Sequence, residues 1–227
     1  MIARAHTVAF EGIEARPVAV ECAVSPGLPA FSIVGLPDKA VSEARERVRT
    51  ALNAMAIALP SKRVTINLSP ADLPKEGAHF DLPIALALLA AIDVLPREDI
   101  AETLALGEMA LDGTLMPVIG ALPAALAAAQ DARVLLCPAA CGAEAAWVGD
   151  TRVLAAGSLA EVVRHFTGQA ALADATPGEV LEETGGLDLR AVKGQERAKR
   201  ALEIAAAGRH HRSEERRVGK ECATGCR

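Results

Sequence analysis

Residues 82–92, LPIALALLAAI, are unbroken apolar sequence closed by Asp93, and they constrain the fold more than any other stretch. The run is well short of the roughly 18 residues that cross a bilayer. Asp81 stands before it as an acceptor for first-turn N–H groups. Pro83 falls in the first turn, where a missing amide donor costs nothing. The stretch predicts a helix over 81–92 that is apolar on nearly every side, and such a helix belongs inside a core.

The surrounding sequence supplies layers for that core. Residues 4–10 and 15–24 are rich in β-formers on either side of Glu11-Gly12 and read as a hairpin. A third strand, 30–35, is closed by Gly35-Leu36-Pro37. A helix then starts after Asp38 as N-cap and runs to about residue 55. Strand signals follow at 62–69, 102–112, 133–136 and 151–155, with helical ones at 121–130, 140–147 and 158–166. Strands that alternate with helices after a strand-rich start predict an α/β domain with a mixed sheet, ending near Phe166.

Aromatic residues make up only 2% of the chain against 51% hydrophobic, so the core must be built from Ala, Val, Leu and Ile. The formal net charge of -5 lacks the basic signature of a nucleic-acid binder, unless Arg45, Arg47, Arg49, Lys62 and Arg63 cluster in space. Three of these arginines lie on the 38–55 helix. They read either as a phosphate-binding face or, with Glu43 and Glu46 interleaved, as a solvated one, and the solvated reading is favoured. Cys137 and Cys141 have no histidine nearby and read as small buried hydrophobes rather than metal ligands. The N-terminus has no apolar region of the kind a signal peptide carries, and a reducing cytoplasm is the expected location.

The apolar helix is entered through LPKEGAHFD, residues 73–81, a charged loop with a histidine at its centre. As a phosphate cradle the loop is weak, because it has one glycine and its carboxylates Glu76 and Asp81 would repel an anion. His79 reads as a satisfied histidine at a helix entrance, with a partner contact as the sharper alternative. Lys75, His79, Arg45 and Arg49 are the candidate partner-contact residues, and no catalytic or metal residue is assigned.

Residues 167–186 read as a linker. After it, 187–208 is a short loop and an amphipathic helix. The tail, 212–227, contains RSEERRVGKEC, which resembles the in-frame translation of a sequencing-library adapter and is expected to be foreign to the natural protein. Its Val218-Gly219-Lys220 is a decoy for a P-loop: Glu214 stands where the first glycine belongs, and Glu221 replaces the Ser or Thr.

Three motifs in order, SIVGLPDKAVSEARERVRTAL (32–52), INLSPADLPKEGAHFDLPIAL (66–86) and LGEMALDGTLMPVIGAL (106–122), make residues 1–166 similar to the N-terminal domain of the ComM/YifB family, the bacterial Mg-chelatase-like AAA+ ATPases. VKGQERAKRALEIAAAG (192–208) resembles the run that leads into that family's ATPase module. The resemblance implies a ribosomal protein S5 domain 2-like, Lon-protease-like fold followed by the start of an AAA+ module at 187–211, in a chain that stops before the Walker A loop.

Lon-type peptidases use a Ser-Lys dyad. Here Pro74-Lys75-Glu76-Gly77 matches the start of their loop, but His79 stands at the nucleophile position and Ala125 at the lysine position. Peptidase activity is therefore not expected. For the longer protein the resemblance implies a cytoplasmic, homohexameric ATPase that uses ATP and Mg2+ and acts on DNA, by branch migration in natural transformation. Val192, Lys193 and Gly194 would lie beside the adenine. The chain itself is expected to be a non-catalytic accessory portion without a bound cofactor, and a true Mg-chelatase subunit is the alternative that analogy alone supports.

Overall fold

The N-terminal hairpin forms as expected, with β1 (Ile2–Glu11) antiparallel to β2 (Glu14–Ser25) about the positive-φ Gly12. β3 (Ala30–Val34) leads to α1 (Lys39–Ala54), and β4 (Arg63–Ser69) returns between β2 and β3. The computed structural model describes residues 2–179 and 188–210. They fall into two compact units divided between Glu179 and Val180. The expectations for 212–227 and for the end of the 167–186 segment lie outside the described residues.

α2 (Asp81–Ala91) is the predicted core helix, and every one of its residues is buried. Its leucines fit because the facing residues of β1 are small: Ala3, Ala5 and Ala9 share a core with Leu82, Leu86, Leu88 and Leu89. Burying a leucine side chain contributes about 1.5–3 kcal/mol, so this helix anchors the first unit. α1 covers it with Val41, Ala44, Val48, Ala51 and Leu52 at helical spacing. Asp38 caps α1 as expected, accepting from the Val41 N–H at 2.7 Å.

The rest of the unit is α3 (Arg97–Ala101), β5 (Thr103–Ala105), β6 (Glu108–Met109), β7 (Leu115–Met116), α4 (Ala121–Gln130), β8 (Val134–Pro138), α5 (Ala139–Ala145), β9 (Val153–Ala156) and α6 (Leu159–Phe166). The main sheet has the order β3-β4-β2-β1-β5-β8-β9, antiparallel where β2 meets its neighbours and parallel elsewhere. It is the mixed α/β sheet anticipated. On one face lie α1, α2 and α6; on the other, the alanines of α4 pack with Val8, Leu104, Leu135 and Cys137. Strand alternation divides the faces: Leu136 and Leu154 point to the first core, Leu135 and Val153 to the second.

Two elements differ from expectation. Residues 102–112 are not one strand but two, β5 and β6, broken at Leu106-Gly107. The Gly107 N–H donates to His79 O at 2.9 Å and its carbonyl accepts from the Leu82 N–H at 3.0 Å, so its backbone serves the head of α2 instead of a ladder. The linker begins later than residue 167. Asp174 bridges Leu154, the Ala175 N–H donates to Val153 O at 2.8 Å, and Arg152 pairs with Asp174 at 2.7 Å, which ties this segment to β9.

In the second unit, a short 3-10 turn (Leu189–Ala191) precedes α7 (Glu196–Gly208), none of whose residues is buried. Among the described residues no helix is long and apolar enough to cross a membrane.

Candidate functional site

The loop before α2 is fixed from three sides. Asp38, already the cap of α1, accepts from the Gly77 N–H at 3.2 Å, and its own N–H donates to Lys75 O at 2.9 Å. Gly77 holds φ +95, where a side chain would press on the His79 ring. A 3-10 turn, Ala78–Phe80, then enters α2.

The Lys75 and His79 side chains of this loop are turned inward while Glu76 is exposed, which corrects the two partner-contact expectations. Lys75 is completely buried and its ammonium donates to the Pro70 carbonyl, so it cannot meet a charged partner. Burial lowers its pKa, an effect that Asp72 opposes. His79 is only 6% exposed; its Nε2 lies 2.9 Å from Val8 O and its ring packs between Phe10 and Phe80. Burial pushes its pKa below the ordinary value, so the ring is neutral and Nε2–H donates to Val8. This is the satisfied helix-entrance histidine, not a partner contact.

Asp81 corrects a third expectation. Its carboxylate does not cap α2. Arg47 grips it with two bonds, Nε to Oδ2 at 2.6 Å and Nη2 to Oδ1 at 2.9 Å, and the Met109 N–H donates to Oδ2 at 3.0 Å. Burial raises the carboxyl pKa, while Arg47 and the Met109 N–H oppose that rise. Nothing in the spacing of Arg47 and Asp81 identified this pair. The available signal was position: Arg47 lies two residues from both Arg45 and Arg49, about 200° around a helix, so it faces the opposite side.

That division of the arginines assembles a basic pocket. Arg45 and Arg49, one turn apart on α1, join Lys62, at the entrance to β4, around a cavity of about 450 Å3 whose lining also holds one carboxylate, Glu46, with Phe31, Leu59 and Pro60. Arg45 is anchored by Glu46 at 3.1 Å and reaches Phe31 O at 3.5 Å. Three of the five basic residues thus converge, while Arg47 turns into the core and Arg63 does not line the cavity.

A second, larger cavity of about 850 Å3 lies over the 76–79 loop, walled by Phe10, Ile13, Ile119, Leu122 and Leu126. The His79 loop and α4, which carries Ala125, therefore border one groove. Its lining contains no Ser, Thr, Cys or Lys, and Ala125 is buried in the second core. Among the described residues the groove brings together no hydroxyl or thiol nucleophile and amine of the kind that Ser-Lys chemistry uses.

Val192, Lys193 and Gly194 lie in the exposed stretch between the 3-10 turn and α7. Gly194 and Gln195 both have positive φ, and no run of glycine amides forms a phosphate cradle there. These residues by themselves do not fit a nucleotide. Cys137 and Cys141 are buried as small hydrophobes. Among the described residues no group of His, Cys, Asp or Glu is placed to hold a metal ion.

A mixed α/β unit with this order of motifs defines a class. Residues 20–140 match the family described as subunit ChlI of Mg-chelatase, and residues 188–213 match a second model, magnesium chelatase, subunit ChlI. The chain belongs to this Mg-chelatase ChlI family. Its relatives include "Competence protein ComM" of Haemophilus influenzae, 43% identical over 92% of this chain and 42% of that protein. "Uncharacterized protein YifB" of Escherichia coli is 42% identical over 91% of this chain and 41% of that protein. The YifB of Salmonella typhimurium is 41% identical with similar coverage. The chain spans about two-fifths of the length of these relatives.

Proposed function

We propose that this chain is the N-terminal portion of an ATP-dependent motor that processes DNA during competence, and that its own part is non-catalytic contact with the nucleic-acid backbone. The observation that carries the reading is the convergence of Arg45, Arg49 and Lys62 on one cavity, in a chain whose overall charge is negative. A local basic cluster on an acidic protein is the footprint of phosphate contact, because it concentrates attraction where geometry can use it. The name of the Haemophilus relative supports the competence setting. In the longer protein, ATP and Mg2+ would be held by an AAA+ module to which Val192, Lys193 and Gly194 contribute one flank. The working form is a cytoplasmic homohexamer. A Lon-like origin of the first unit accords with the groove shared by the His79 loop and α4.

The test is a titration of fluorescein-labelled single-stranded and forked DNA at two salt concentrations. Replacing Arg45, Arg49 and Lys62 together by alanine is expected to weaken binding, and to reduce the slope of log affinity against log salt by about 2–3. Binding unchanged by the triple substitution, or insensitive to salt, would overturn the assignment.

A further inference from the structure

The groove over the 76–79 loop has no role in that reading, and it differs from the basic pocket in every lining residue. It is strongly apolar. Ile13, at the tip of the β1–β2 hairpin, is 91% exposed, and Ile119, before α4, is 95% exposed. Leu126 and Leu122 stand one turn apart on α4 beside them, and Phe10 and Val118 form the floor. Aliphatic side chains this exposed on two separate segments, facing one cavity, mark a surface that another apolar surface covers.

The rim determines the sign of the occupant. Glu76 from the loop, Glu108 from β6 and Glu144 from α5 all line the groove, with no Lys or Arg among the lining residues. Among the described residues, none of these three carboxylates forms an ion pair within 4.0 Å. Glu144 accepts only from the Leu122 N–H, at 3.4 Å. His79 is held neutral against Val8 and adds no positive charge. Nucleic acid is repelled by such a rim. A polypeptide with apolar side chains on one face and lysines or arginines along its flanks matches both features. Along the α4 wall Pro117 and Pro123 have no amide to donate and the α4 backbone is bonded within its own helix, so there a helix packed through its side chains suits the groove better than an added strand.

We propose that this groove docks a cationic amphipathic helix of a partner protein, with Ile13, Ile119 and Leu126 gripping its apolar face and Glu76, Glu108 and Glu144 pairing with its basic flanks. The probes are two labelled peptides of about 18 residues with the same leucine stripe, one flanked by lysines and one by glutamates. Fluorescence anisotropy against the full chain is expected to show the lysine peptide binding at least about tenfold tighter, with the advantage shrinking as salt rises. Ile119→Asp is expected to abolish binding. Glu76→Gln with Glu144→Gln is expected to erase the preference while leaving weak apolar binding. Circular dichroism checks the fold of each variant, and Ile119, being almost fully exposed, is the position least able to disturb it. Equal binding of the two peptides, or binding indifferent to Ile119→Asp, would overturn the proposal. So would a concentration-dependent dimer in sedimentation velocity that Ile119→Asp dissolves, since the groove would then serve a second copy of the chain.

Discussion

Replacing Arg47 by methionine should be among the most damaging single changes in the first unit. Asp81 has a fully buried side chain and Arg47 is one-fifth exposed. Methionine keeps much of the arginine stem's volume but leaves the carboxylate with the Met109 N–H as its remaining donor. Breaking a buried pair by removing one partner costs about 3–5 kcal/mol, because an uncompensated charge stays behind. For a unit of this size each kcal/mol lowers Tm by roughly 2–4 °C, so a fall of about 6–20 °C is expected. Urea denaturation followed by circular dichroism measures the free energy directly. The double variant Arg47→Met with Asp81→Leu removes both charges and should recover most of the loss, since the damage comes from imbalance. A pH series adds a further check. Without the guanidinium the Asp81 carboxyl rises further above its unfolded value, so the folded state binds the extra proton and the variant's deficit shrinks as pH falls. A cost below about 1 kcal/mol, or a double variant whose losses simply add, would refute this account of the pair.

Acid should weaken the fold through two histidines. His6 is pushed down to about 4 from 6.5 by burial, then by Arg133 and Arg4, and burial also lowers His79. Both favour the neutral ring in the folded state, so their contribution is complete above pH 6.5 and is lost as pH falls through each lowered pKa, which for His6 is about 4. His6→Gln should flatten that part of a stability–pH curve, and an unchanged curve would contradict the assignment. Gly35→Ala should cost at least about 2 kcal/mol in urea denaturation, because the position holds φ +106 and a Cβ would sit 2.1 Å from Leu68 O. An unshifted midpoint would show that the β3–α1 turn can relax, against the close approach described.

The periodic parts of this fold were legible in sequence because their causes are local. α1 announces itself through Asp38 and the spacing of Val41, Ala44, Val48, Ala51 and Leu52, and the hairpin through its β-formers around Gly12. α2 was legible as a buried helix because nothing polar interrupts it. What escaped depends on partners remote in the chain. The break at Gly107 follows from its bonds to His79 and Leu82, and Asp81 changes from cap to ion-pair partner because Arg47 lies 34 residues away. Lys75 reads as a surface cation for a different reason: its partner, Pro70 O, is only five residues away, but the loop path that turns the ammonium onto it leaves no pattern in the residue types. Arg45, Arg49 and Lys62 stand out in composition, yet their convergence depends on α1 packing against β3, which brings Lys62 at the entrance to β4 to the same cavity.

These internal contacts also explain why the 73–81 loop, rich in polar side chains, is poorly placed to do chemistry. Lys75 donates to Pro70, His79 to Val8, and Asp81 is held by Arg47 and the Met109 N–H. Each of these three groups is consumed by an internal bond, and of the loop's titratable side chains only the exposed Glu76 is left facing outward. Burial moves each of the three toward its uncharged form, with the Arg47 guanidinium holding against that shift at Asp81. A loop locked in this way is a rigid support and not a reactive site. The same bonds fix α1 against the head of α2 and so orient the face that carries Arg45 and Arg49. They also fix the Gly77–His79 floor beneath the apolar groove. The loop thus places two exposed surfaces of opposite sign, one suited to phosphate and one to a cationic helix. Recognition moves to those surfaces because Lys75, His79 and Asp81 are spent on holding them in place, leaving the loop only Glu76 to contribute to one rim.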